Sequence, residues 1–152
     1  MTGFAFRLQN VLDYRMSLVD RARLELAALQ ALLDDAEATL AVLQQIERDA
    51  LAELTATQTA ALLDVAEITR LLEYGEVVAD QIVDQRQVIA ARRQAVDEQQ
   101  RVVIGLARDA KALEKLRDRQ VEEYQQEDAR RERVETSEIA STRHQRFQVT
   151  RL

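Results

Sequence analysis

Residues 19–43 read VDRARLELAALQALLDDAEATLAVL. Val19, Ala22, Leu26, Leu29, Leu33, Ala36, Leu40 and Leu43 recur at alternating steps of three and four. That spacing is a heptad seam held over more than three heptads, and it keeps one apolar stripe on one face of a helix. A stripe of this kind asks for a second helix to cover it. Leu24, Leu32, Val42 and Ile46 widen it. The extra apolar surface points to a further partner, and is compatible with a homodimer of the isolated chain. The seam reaches back to Leu12 and forward, less cleanly, through Ala50 and Leu54. No proline interrupts it: the 152 residues contain none, and the glycines are Gly3, Gly75 and Gly105. Without proline, no position lacks the backbone N–H a helix needs.

The pattern falters at residues 55–61, TATQTAA. Thr is β-branched, and its hydroxyl competes for backbone partners, so this is the weakest helical stretch in the chain's interior. Asp64 follows as a candidate N-cap, with Glu67 three residues later in the capping-box position. The apolar spacing then resumes at Ile68, Leu71, Leu72, Val78, Ile82, Val88 and Ile89, and again at Val96, Val103, Leu106, Ala110, Leu113 and Leu116. The expected fold is all-α, a long antiparallel two-helix coiled-coil hairpin with a longer C-terminal helix. Helix 1 covers about 5–55, the turn about 56–64 and helix 2 about 65–145, as one domain over 1–152. Gly75 is the rival hinge. The Thr-rich site is preferred because the apolar runs on either side of Gly75 can share one face.

The two helices are unequal. With the turn centred near residue 60, position 8 lies opposite roughly position 112, so helix 2 outruns helix 1 by about 30 residues, on the order of 45 Å at helical rise. The positions that would continue the seam past Leu116 are Arg117, Gln120, Tyr124, Glu127, Arg131 and Val134, mostly polar. Pairing and seam should therefore end together. A lone amphipathic helix is marginal in water, so the overhang either frays or is built to be bound. Opposite charges at Lys111, Glu114, Lys115, Asp118 and Arg119 have the i,i+3 and i,i+4 spacing that supports an isolated helix.

Composition excludes several classes of function. The chain has no cysteine and one histidine, His144, so disulfides and conventional transition-metal sites are not expected. No Gly-rich phosphate loop occurs. Carboxylate clusters such as Asp34/Asp35/Glu37 and Glu127/Asp128 have no pocket on an open two-helix rod to tune them, so no catalytic residue, cofactor or metal is assigned. Residues 101–152 hold twelve basic and ten acidic side chains, a mixed face and not the one-sided patch of a nucleic-acid binder. No apolar run has the length of a membrane span. The opening MTGFAFRLQN lacks the regions of a signal peptide, so a cytoplasmic, non-enzymatic protein is expected.

Both ends of the chain carry a family resemblance. Residues 4–15, FAFRLQNVLDYR, resemble the F-x-F-R-L-Q-x-V-L-x-Y-R opening of the flagellar export protein FliJ family. Residues 106–120, LARDAKALEKLRDRQ, resemble that family's K-x-L-E-K-L-R block. Residues 137–140, SEIA, resemble its D-E-x-A segment, with Ser137 where an acid is usual.

The resemblance implies a soluble stalk of the flagellar type III export apparatus, similar to the γ subunit of rotary ATPases and peripheral to the basal body at the inner membrane. The end with both termini would engage the hexameric export ATPase (FliI). Matching positions here are Phe4, Phe6, Leu8, Leu113, Leu116, Arg117, Arg119 and Gln120. A patch soon after the turn would meet the export-gate protein (FlhA); it falls at Tyr74, Val78, Gln81 and Gln85. Export chaperones are further implied partners. Other readings share the pattern: the equivalent stalk of a virulence secretion system, a prefoldin-type chaperone hairpin, or a generic structural coiled coil. A prefoldin-type chain would need a β-hairpin between its helices, and no strand-period run occurs near residues 55–75.

Overall fold

The computed structural model describes residues 4–149, with side chains through Arg146. The outermost residues of the expected 1–152 hairpin, 1–3 and 150–152, lie outside the described residues, and Gly3 with them. The chain is all-α: helix α1 spans Gln9–Gln58 and helix α2 spans Val65–Val149, with no strand among the described residues. The C-terminal helix is the longer, 85 residues against 50. The two helices pack against each other as an antiparallel hairpin. Contacts group into two units. One is Asp20–Gly105, and the other combines the segments before and after it in sequence.

In the Asp20–Gly105 unit the seam follows the heptad spacing closely. On α1 it runs Ala22, Leu26, Leu29, Leu33, Ala36, Leu40, Leu43, Glu47, Ala50 and Leu54. On α2 it runs Ile68, Leu71, Gly75, Val78, Ile82, Gln85, Ile89, Arg92, Val96, Gln99 and Val103. All of these positions are buried or half-buried. The strict 3–4 step is what two helices need to keep facing each other.

Three polar residues sit in this seam seven apart, and each reaches across to a backbone carbonyl of α1. Gln85 Nε2 donates to the Ala36 carbonyl at 2.8 Å. Arg92 donates to the Leu32 carbonyl. Gln99 Nε2 donates to the Ala22 carbonyl and to the Glu25 carboxylate, both at 3.1 Å. Ala22 and Ala36 are small enough to let the amides approach, and both are buried. Arg93 and Glu37 add an exposed ion pair at 2.7 Å. The pairings of residue 22 with 99 and 36 with 85 define the antiparallel register.

Residues 59–64 connect the two helices. Helix 1 runs to Gln58, past the expected end near 55. The reason is local: Thr55, Thr57 and Thr59 hydroxyls donate to the carbonyls of Leu51, Glu53 and Thr55 at 2.8–2.9 Å. The same hydroxyls that compete with a helix interior satisfy carbonyls at its end. α2 opens on the expected cap, with Glu67 N–H donating to Asp64 Oδ1 at 3.1 Å. The Glu67 carboxylate accepts from Arg70 at 2.5 and 2.9 Å. That bond holds the Glu67 carboxyl below its ordinary value, against partial desolvation of the group, and the Arg70 charge adds to the lowering. A lowered carboxyl adds stability above the unfolded value and loses it as pH falls through the folded one. Gly75 is not a hinge; it lies inside α2 with a negative φ.

In the second unit, Phe6, Leu12, Val19 and Ala110 are buried, and Leu12 is fully enclosed. Arg15 pairs with Asp109 at 3.2 Å across the helices. α1 starts at Gln9 and not near residue 5, because residues 4–6 are non-helical and the Gln9 N–H bonds the Phe6 carbonyl at 3.0 Å. α2 continues to Val149, beyond the expected end near 145.

Candidate functional site: a partner interface

The N-terminal phenylalanines and the 113–120 block share one unit. Phe4 packs its ring against Tyr124, with centroids 5.8 Å apart and planes tilted by 54°. Tilted aromatic pairs at this spacing are favourable beyond their buried area. Phe6 is buried, while Leu8 remains 37% exposed. Leu113, Leu116, Arg117 and Gln120 are half-buried, and Arg119 is exposed. Much of the expected ATPase-facing set therefore also closes the end of the hairpin. Tyr124 joins it as a residue the sequence reading placed only as a late seam position.

Beyond Val121 the environment changes. Every residue from 122 to 146 is exposed, although α2 continues throughout. Val134 and Ile139 present apolar surface there at 50% and 57% exposure. Within this arm Arg131 pairs with Glu127 at 3.4 Å. Nearer the hairpin, Asp118 pairs with its neighbour Arg117 at 3.1 Å, while Lys111, Glu114, Lys115 and Arg119 make no ion pair among the described residues. The charge ladder expected from spacing is thus thinner than its sequence suggests, and such exposed pairs are worth little each. Thr136 and Thr142 hydroxyls donate to the Glu132 and Glu138 carbonyls within the arm at 2.7 and 2.8 Å.

The expected gate-facing residues divide. Tyr74 and Gln81 are exposed. Val78 is buried in the seam at 2% exposure. Gln85 is part-buried and committed to the Ala36 carbonyl. The sequence signal that separates them is the heptad itself: 78 and 85 stand seven apart on the inward stripe, whereas 74 and 81 stand beside it.

The described residues contain no group of three or more His, Asp or Glu side chains that could hold a metal. No helix among them is long and apolar enough to cross a membrane.

A protein-family profile described as "Flagellar FliJ protein" matches residues 4–148. Neither the curated proteins nor the solved structures yield a match. The profile spans both terminal blocks and the hairpin between them. The chain belongs to the FliJ family, and is thereby a component of the flagellar export apparatus.

Proposed function

We propose that this chain is a non-enzymatic stalk that engages the hexameric export ATPase with the end of the hairpin that carries both termini. The observation that carries the reading is the exposed 122–146 arm of α2. A helix of this length gains little from propensity alone in water. Retaining it without proline, and without a partner helix within the chain, makes physical sense when another protein covers it. Leu8, Arg119 and the arm offer the accessible part of that surface, while Phe4, Phe6, Leu113, Leu116, Arg117 and Gln120 set its base. The export gate contacts Tyr74 and Gln81 on the outer face of α2, and Val78 and Gln85 support that face from the seam. Export chaperones are handled by the same cytoplasmic protein, which sits peripherally at the basal body. Self-association of the purified chain uses the exposed Leu24, Leu32 and Val42 of α1.

The direct experiment is sedimentation of the purified chain with the export ATPase of the same organism, assembled as hexamers. Co-migration with the hexamer is expected. Independent migration at concentrations above those of the assembled hexamer would remove the stalk reading.

A further inference from the structure

The seam has a gap at Gly75. At Gly75 no side chain projects from α2, and a Cβ built there would meet nothing within 4 Å. Beside it lies a half-open groove of about 260 Å³ between α1 and α2, lined by Ala50, Leu51, Leu54, Leu71 and Leu72 together with Glu47 and Glu76. Leu51 and Leu72 are 58% and 50% exposed.

Glu47 makes this gap more than loose packing. It occupies a seam position, where an apolar residue is the norm. The other charged seam residues are partnered: Arg15 by Asp109, Arg92 by the Leu32 carbonyl and Arg117 by Asp118. Among the described residues, neither Glu47 nor Glu76 has a hydrogen-bond or ion-pair partner. The surroundings are acidic as well. Residues 47–76 hold seven carboxylates (Glu47, Asp49, Glu53, Asp64, Glu67, Glu73 and Glu76) and two cations, Arg48 and Arg70. Arg70 is already taken by Glu67.

We propose that the Gly75 gap is a socket for one cationic side chain, an Arg or Lys presented by a partner protein. Such a side chain has an apolar stem and a charged tip. The leucine and alanine walls accept the stem, and the Glu47 and Glu76 carboxylates accept the tip. A second copy's equivalent surface carries the same negative charge, which disfavours a symmetric self-contact here. The socket lies on the same stretch of α2 as the proposed gate surface. It rests on that reading for the partner's identity only.

n-Butylguanidinium, an arginine side-chain mimic, provides a probe that needs no partner. Titrated into the full chain with methyl NMR detection, it should give saturable shifts at Ala50, Leu51, Leu54, Leu71 and Leu72. Neutral n-butylurea should bind at least 5-fold more weakly. Glu47→Gln/Glu76→Gln should weaken the cation to the urea level, and Gly75→Leu, which fills the gap, should abolish the shifts while the chain melts at the same temperature or higher. Absence of saturable shifts, equal binding of the urea, or unchanged binding to Gly75→Leu would overturn the socket. A second arm measures the soluble domain of the gate protein against the same variants. A tenfold loss with Glu47→Gln/Glu76→Gln places that partner in the socket. Failure of the gate domain to bind the unmodified chain would end the gate reading while the probe titration still decides the socket.

Discussion

A chain ending at Gln126 is expected to melt within a few degrees of the full-length protein and to lose at least 100-fold in affinity for the export ATPase. The two halves of this result come from one feature. Residues 127–146 are all exposed, so their removal deletes almost no packing. Stability changes of up to about 1 kcal/mol move the melting temperature of a domain this size by only a few degrees. The Phe4–Tyr124 contact and the Arg15–Asp109 pair are kept. What goes is the helical arm that the proposed reading assigns to the ATPase. Thermal melts by circular dichroism and equilibrium binding by sedimentation check the two halves separately. A large fall in melting temperature would mean that the arm is structurally supported by the hairpin. Unchanged affinity would mean that the ATPase is bound elsewhere on the chain.

The double substitution Gln85→Leu/Gln99→Leu is expected to stabilise the protein and to cost it its single register. Each glutamine makes a bond to a carbonyl of the facing helix. A net hydrogen bond contributes about 1 kcal/mol, whereas burying a leucine contributes about 1.5–3 kcal/mol. The unfolding free energy should therefore rise by about 1–3 kcal/mol for the pair. The glutamines specify what leucines would not. Their amides need a carbonyl beside a small residue, and a one-heptad slip sets Gln85 opposite Leu29 or Leu43 in place of Ala36. A polar residue at a seam position selects register and oligomeric state at a cost in stability. Urea denaturation measures the gain. Light scattering and spin-label distances across the hairpin should show larger assemblies or several registers. A single unchanged register with the same mass would show that the apolar layers specify the pairing unaided. A fall in stability would show that the leucines cannot fit opposite Ala22 and Ala36.

The parts of this structure that were readable in sequence are those governed by the period of a helix. The Val19–Leu43 spacing announced the paired face. The Thr tract with Asp64 announced the turn, and the decay after Leu116 announced where support for α2 runs out. Each is a local signal, and Val121, the last half-buried residue among the described side chains, falls close to the predicted end of pairing. The features that escaped depend on what lies across the gap. No local rule shows that Gln85, Arg92 and Gln99 would find carbonyls, because the acceptors come from a helix some 50–80 residues away. The Phe4–Tyr124 contact is equally non-local. The extension of α1 to Gln58 escaped for another reason. Thr hydroxyls compete with a helix interior, and at its end they complete it. Val78 and Gln85, which the resemblance groups with the gate patch, stand on the inward heptad stripe, and that much is legible in the spacing. The Gly75 gap, by contrast, followed from neither. It required knowing that Glu47 on the other helix was its neighbour.

The central claim is that the 122–146 arm is bare in the free protein and covered in the assembled apparatus. Hydrogen–deuterium exchange on the free chain and on its complex with the ATPase hexamer tests it most directly. In the free chain, amides of 122–146 should exchange much faster than those of the Leu12–Ala22 and Val96–Ala110 segments, because an unsupported helix opens readily. In the complex, the arm should become at least tenfold more protected while protection at Ala36 and Gln85 stays as it was. Equal exchange of the arm in the two samples would contradict the account.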